Sequence, residues 1–142
     1  MKRTVESYSP GETRALAKKL GESAEAGQIY TLDGDLGTGK TVFAKGFAEG
    51  LGITEIVNSP TFTIVQSYEG GRLAMHHFDV YRIADPEEMD EIGYEEYFFG
   101  DGVCLVEWAD QIAGLIPEDA VRVRIEKDPE KGEDYRIITI GE

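Results

Sequence analysis

The chain has one cysteine, Cys104, so no disulfide forms within it. Cys104 sits in the apolar run 103–106, where a free cysteine behaves as a small buried hydrophobe. That usage fits a reducing compartment, and a cytoplasmic location is expected. Long apolar stretches are also missing. None approaches the roughly 18 residues that a membrane span needs, so no membrane partner is expected. Lys2 and Arg3 are not followed by the apolar segment of a signal peptide. Basic residues are scarce: 14 Lys and Arg against 28 Asp and Glu give a net charge of −14. Such a chain repels polyanions, so direct contact with nucleic acid is not expected. The basic residues near the start, Lys2, Arg3, Arg14, Lys18 and Lys19, read as a solvated helix face.

The 142 residues, 41% hydrophobic and 10% aromatic, suffice for one domain, 1–142, with its own core. The most informative stretch is Gly34-Asp35-Leu36-Gly37-Thr38-Gly39-Lys40-Thr41, which matches the phosphate-binding pattern G-x-x-x-x-G-K-[ST]. Gly34, Gly37 and Gly39 let the backbone approach an anion closely. The loop amides form an anion nest, and the helix that follows adds its N-terminal dipole. Lys40 supplies an ammonium for β- and γ-phosphates, and the Thr41 hydroxyl can ligate Mg²⁺. The plain alternative is a chance glycine-rich turn. With glycine at about 7% of average usage, an accidental match in a chain this short is roughly a 1% event.

The setting supports the motif. Residues 28–32 read as a short buried strand and 41–51 as a helix. Upstream, 13–20 reads as a helix with Ser9 as N-cap and Gly21 as its stop. Residues 55–57 are a short strand candidate. Residues 61–68 and 73–81 form a hairpin across the turn at 69–72. Asp85 and Pro86 start a helix that Gly93 ends, and 95–99 is ambiguous. Residues 103–107 form a continuous apolar strand, 109–115 a helical turn or two, and 120–127 pairs with 135–140 as a terminal hairpin. The expected fold is α/β: a P-loop NTPase-type domain whose mixed, mainly parallel central sheet is flanked by helices and carries β-hairpins.

Ligands of such sheets lie at the carboxyl ends of the strands, which places Gly34–Thr41 and Glu107 on one rim. P-loop NTPases hold Mg²⁺ or its waters with an acid at that strand end. The usual acid is Asp; here it is Glu107, followed by Trp108. Glu107 serves either as a metal ligand or as the base that positions water. A solvent-facing strand-end carboxylate is the bland alternative. His77, Asp79 and Tyr81 alternate on one strand face. His77 and Asp79 alone are too few for a metal centre. Asp79 reads better as an acid near the nucleotide's Mg²⁺, and His77 equally well as a structural hydrogen-bonding group. Arg82 is open between an arginine finger and an ion pair with Asp85. The segment Asn58-Ser59-Pro60-Thr61-Phe62-Thr63 is either a γ-phosphate sensor or a proline turn.

Together G-D-L-G-T-G-K-T at 34–41, S-P-T-F-T at 59–63, H-F-D-V-Y-R at 77–82 and V-E-W at 106–108 resemble the TsaE (YjeE) family. These are bacterial P-loop ATPases of tRNA threonylcarbamoyladenosine synthesis. The resemblance runs from the helix at Thr13 to Trp108. It implies a protein that binds ATP and Mg²⁺, hydrolyses ATP slowly alone, and works with TsaD and TsaB, which stimulate that hydrolysis. That pair attaches threonylcarbamoyl to adenosine 37 (tRNA numbering), and tRNA is met only through the complex. TsaE does not carry out the transfer itself. By position the resemblance makes Lys40, Glu107 and Asp79 candidate catalytic residues. Leu36, Gly37, Thr38, Gly39, Lys40, Thr41 and Trp108 would hold the nucleotide, and Thr41 and Glu107 the metal. The segment 9–13 would flank the adenine, and the 59–63 loop would be switch-like.

Two other classes compete. A small-molecule kinase needs an acceptor pocket and a lid, for which this chain has little length and few basic residues. A nucleotide sensor would bind without turnover. A GTPase is disfavoured because no N-K-x-D motif occurs, and D-x-x-G at 90–93 lies in an acidic helix.

Overall fold

Alternation within two adjacent buried strands organises the molecule. In β2 (Ile29–Asp33), Tyr30 and Leu32 face one core and Ile29 the other; in β5 (Val103–Glu107), Val103 and Leu105 face the first, Cys104 and Val106 the second. A strand apolar on both faces must be covered on both. The computed structural model describes residues 2–35, 37–58, 60 and 63–141. Leu36, Ser59, Thr61 and Phe62, each part of a motif above, lie outside them.

With β1 (Arg3–Ser7), β3 (Val65–Tyr68), β4 (Met75–Asp79), β6 (Val121–Lys127) and β7 (Arg136–Gly141), these strands form a seven-stranded sheet ordered β1-β7-β6-β2-β5-β4-β3. The centre, β6-β2-β5-β4, is parallel. The flanking pairs β1-β7, β7-β6 and β4-β3 are antiparallel. The expected mixed sheet with a parallel centre and two hairpins is therefore present. Helices α1 (Pro10–Ser23) and α2 (Lys40–Gly50) cover the first face, where Phe43 and Phe47 are fully buried. Each such side chain contributes about 1.5–3 kcal/mol by leaving water. Helices α3 (Glu88–Glu91) and α4 (Tyr94–Phe98) and the 3-10 helix Ala109–Leu115 supply the second core with Met89, Phe98 and Ile112.

Several expectations need correction. Ser9 does cap α1, accepting the Glu12 N–H at 3.2 Å, but Gly21 does not stop it. The helix runs on to Ser23. Gly21 is glycine because a Cβ there would meet the Phe47 carbonyl oxygen of α2 at 2.2 Å. Residues 55–57 form no strand; Ile56 is 81% exposed, and an edge with no partner has no ladder to join. In the first hairpin β3 starts only at Val65. Asp85 does not cap α3 directly; its carboxylate accepts the Glu87 N–H at 3.0 Å, one turn before the helix begins. Strand β1 escaped the sequence reading because its residues are mostly exposed, so no apolar alternation marks it.

Candidate functional site

The turn after β2 is shaped by glycines. Gly37 has φ 79° and Gly39 φ 102°, left-handed values that a Cβ resists. Gly34 is glycine for space: a Cβ would meet the Ile125 carbonyl oxygen of β6 at 2.6 Å. Within the loop, the Thr38 hydroxyl donates to the Asp35 carbonyl at 2.8 Å. Gly39 then hands the chain to α2, whose first residue is Lys40. The loop thus stands at the carboxyl end of β2 with a helix N-terminus behind it, the arrangement that binds phosphate.

Parallel register brings the acids to the same edge. Asp79 ends β4 and lies opposite Glu107, the last residue of β5, while Leu32 of β2 flanks Glu107 on the other side. Both carboxylates share the sheet face of Met75, Val103 and Leu105, which is the α2 side. They are only 6% and 4% exposed, so two like charges are held side by side out of water. That arrangement calls for a cation. Lys40 is the nearby one. Its ammonium donates to the Gly34 carbonyl at 2.7 Å and lies 3.6 Å from the centroid of the Trp108 ring. Burial pulls its pKa down, opposed by Glu107, Asp79, Asp33 and Asp35.

His77 completes the acidic edge. Its Nε2 lies 2.6 Å from Glu107 Oε2, and both side chains are buried. His77 Nδ1 has no hydrogen-bond partner among the described residues. A carboxylate can only accept, so we assign a hydrogen to Nε2, which donates to Glu107. His77 is therefore the partner of Glu107 and not half of a metal pair with Asp79. Asp79 Oδ1 instead accepts the Tyr81 N–H at 3.1 Å.

Backbone strain borders both acids. Among the described residues, Ile64 (φ 69°) and Trp108 (φ 62°) are the non-glycine residues with positive φ. Each costs of order 1–3 kcal/mol. The Ile64 carbonyl accepts the Asp79 N–H at 2.7 Å, and Trp108 directly follows Glu107. The Trp108 ring also packs against Tyr81 at 4.8 Å. Asp33, at the end of β2, accepts the Ala109 N–H at 3.2 Å; burial and then Asp110 push its carboxyl pKa up.

The structure thus brings together Lys40, Asp79, Glu107 and Trp108 beside Gly37, Thr38 and Gly39. Thr41 follows on α2 with an exposed side chain, and its hydroxyl makes no hydrogen bond among the described residues. Leu36 lies outside those residues. Among them, no cluster of three or more His, Cys, Asp or Glu could hold a metal alone. A nucleotide's Mg²⁺ takes only one or two protein oxygens and completes its shell with phosphate and water. Thr41 and Glu107 would supply the protein oxygens.

Three further groups of residues border the loop, two of which the sequence reading did not single out. Arg136 of β7 donates to the Thr38 and Gly37 carbonyls at 2.9 and 3.3 Å. Lys127 of β6 brings its ammonium to within 3.4 Å of where a Gly37 Cβ would stand. Pro10 and Thr13 of α1 join Thr38, Gly39, Val42, Asp134 and Arg136 around a small cavity of about 40 Å³. Only the last carried a sequence signal, as the segment expected beside the adenine.

A glycine loop between the first parallel strand and its helix, facing an acid at the end of the next parallel strand, defines a P-loop protein. The TsaE model, threonylcarbamoyl adenosine biosynthesis protein TsaE, matches residues 7–137. The tRNA threonylcarbamoyladenosine biosynthesis protein TsaE of Bacillus subtilis is 52% identical over 131 residues, covering 92% of this chain and 80% of that protein. Its namesake from Treponema pallidum is 42% identical over 119 residues, covering 84% and 87%. A crystal structure of Bacillus subtilis YdiB superposes with a TM-score of 0.84 at 44% identity, over 99% of this chain and 84% of that one. The chain belongs to the TsaE family of tRNA threonylcarbamoyladenosine biosynthesis.

Proposed function

We propose that the protein is a Mg²⁺-dependent ATPase that binds ATP in the 34–41 loop and hydrolyses it slowly alone. It acts with the TsaD and TsaB proteins in threonylcarbamoylation of adenosine 37 and does not carry out the transfer itself. It meets tRNA only through that complex, in the cytoplasm. Among the described residues no helix is long and apolar enough to cross a membrane.

One observation carries the reading: the buried Asp79–Glu107 pair faces the loop across Lys40. The loop amides and α2 N-terminus would bind the triphosphate. Lys40 would leave the Gly34 carbonyl for the β- and γ-phosphate oxygens. Mg²⁺ would neutralise charge developing between those phosphates. Glu107, aimed by His77, would ligate the metal or orient the attacking water, and Asp79 would stand beside it. Ile64 is strained and its carbonyl accepts the Asp79 N–H, which supports a switch-like role for the 59–63 segment that precedes it in the sequence.

The test is phosphate release from ATP, measured with and without TsaD and TsaB. A slow basal rate that rises when the partners are added is expected. ADP formation that depends on a small-molecule acceptor would make the protein a kinase. Tight binding without turnover under either condition would make it a sensor.

A further inference from the structure

Arg136 belongs to none of the sequence motifs, yet it hydrogen-bonds two carbonyls of the loop from the terminal hairpin. Its Nε donates to the Thr38 carbonyl at 2.9 Å and its Nη2 to the Gly37 carbonyl at 3.3 Å. Its Nη1 donates to the Glu133 and Tyr135 carbonyls, each at 2.8 Å. A guanidinium presents its N–H groups in a rigid planar fork. One face of that fork is anchored on the hairpin, and the other grips two consecutive carbonyls of the loop.

The consequence follows from peptide geometry. In a trans peptide the C=O and the next N–H point in opposite directions, and the described chain has no cis bonds. Fixing the Gly37 and Thr38 oxygens toward Arg136 turns the Thr38 and Gly39 N–H groups the other way. The first is caught by the Asp35 carbonyl at 3.3 Å, which closes the loop on itself. Gly37 and Gly39 are the residues with most freedom to lose. Without a brace, an anion would have to order them on arrival.

Building on the ATP reading, we propose that Arg136 is a positioning residue for the nucleotide: it holds the phosphate loop in its closed conformation from behind. It acts through the loop and not on the γ-phosphate. Its removal therefore weakens ATP and ADP alike and leaves turnover at saturating ATP intact.

The experiment titrates Mg·ATP and ADP calorimetrically into the wild-type chain, Arg136→Gln and Arg136→Lys. Turnover and amide exchange are measured in parallel. Arg136→Gln is expected to bind both nucleotides about tenfold more weakly, with kcat within about twofold of wild type. Amide exchange should quicken at Gly37–Gly39 and stay unchanged in β2 and β5. Arg136→Lys, which keeps the charge but loses the fork, is expected to fall between; it carries the test if the glutamine variant does not fold. Unchanged affinity in the variants overturns the proposal, and so does a loss confined to ATP. Failure of the wild-type chain to bind ATP overturns the ATPase reading instead, so the two failures are distinct.

Discussion

His77 decides which way the Glu107 carboxylate faces, because its Nε2 holds one oxygen at 2.6 Å from the neighbouring strand. Replacing it with Phe keeps the volume but frees the acid. We predict that His77→Phe lowers kcat about 10- to 100-fold with little change in the KM for ATP. His77→Gln, whose amide N–H can reach the carboxylate, restores part of the loss. Equal kcat in both variants and wild type would remove His77 from the mechanism. Asp33 makes a second residue-scale prediction, with pH as the variable. Its pKa is raised in the folded state, chiefly by burial. Protonation therefore stabilises the fold, and the ionised carboxylate costs stability at neutral pH. Asparagine mimics the protonated form and can still accept the Ala109 N–H. Asp33→Asn should raise the melting temperature at pH 7. The gain should shrink as pH falls through the Asp33 pKa toward the ordinary carboxylate range. A gain that stays constant with pH would show that its origin is not this ionisation.

At the scale of elements, α1 and α2 touch backbone to backbone. A Cβ on Gly21 would meet the Phe47 carbonyl at 2.2 Å, one on Gly46 the Arg14 carbonyl at 2.3 Å, and one on Gly50 the Lys18 carbonyl at 2.1 Å. Arg14 and Glu49 join the helices across the exposed rim. Gly46→Ala must push the helices apart. We expect it to destabilise by about 2 kcal/mol or more in chemical denaturation. A loss within about 0.5 kcal/mol would mean that the helices slide freely. This packing also marks the limit of the sequence reading. A glycine near the end of a periodic segment signals both a helix stop and a close crossing, and only the partner helix tells them apart. The strand at Val103–Glu107 was legible because burial on both faces leaves an unbroken apolar run. β1 was not legible, since its pairing with β7 rests on backbone bonds that leave no apolar pattern. The loop, Lys40 and Glu107 could be read from spacing and strand ends. The Arg136 brace could not, because it joins residues almost a hundred positions apart.

The whole molecule carries fourteen more acids than bases, yet Lys40, Lys127 and Arg136 gather at one loop. The surplus charge repels itself across the rest of the surface. We propose that the chain is one cooperative domain, since a single sheet carries both cores. It should melt in one transition whose midpoint rises when ionic strength goes from about 10 mM to 150 mM, as screening weakens the repulsion. Two transitions would divide the chain, and a midpoint that falls with salt would give attraction the larger share. Nucleotide binding depends on Lys40 and the loop amides winning locally against the acidic whole. A calorimetric titration of Mg·ATP into the wild-type chain and Lys40→Ala tests this most directly. The wild type should saturate at one nucleotide per chain, with the variant at least about 100-fold weaker. Equal affinities would place the nucleotide somewhere other than this loop.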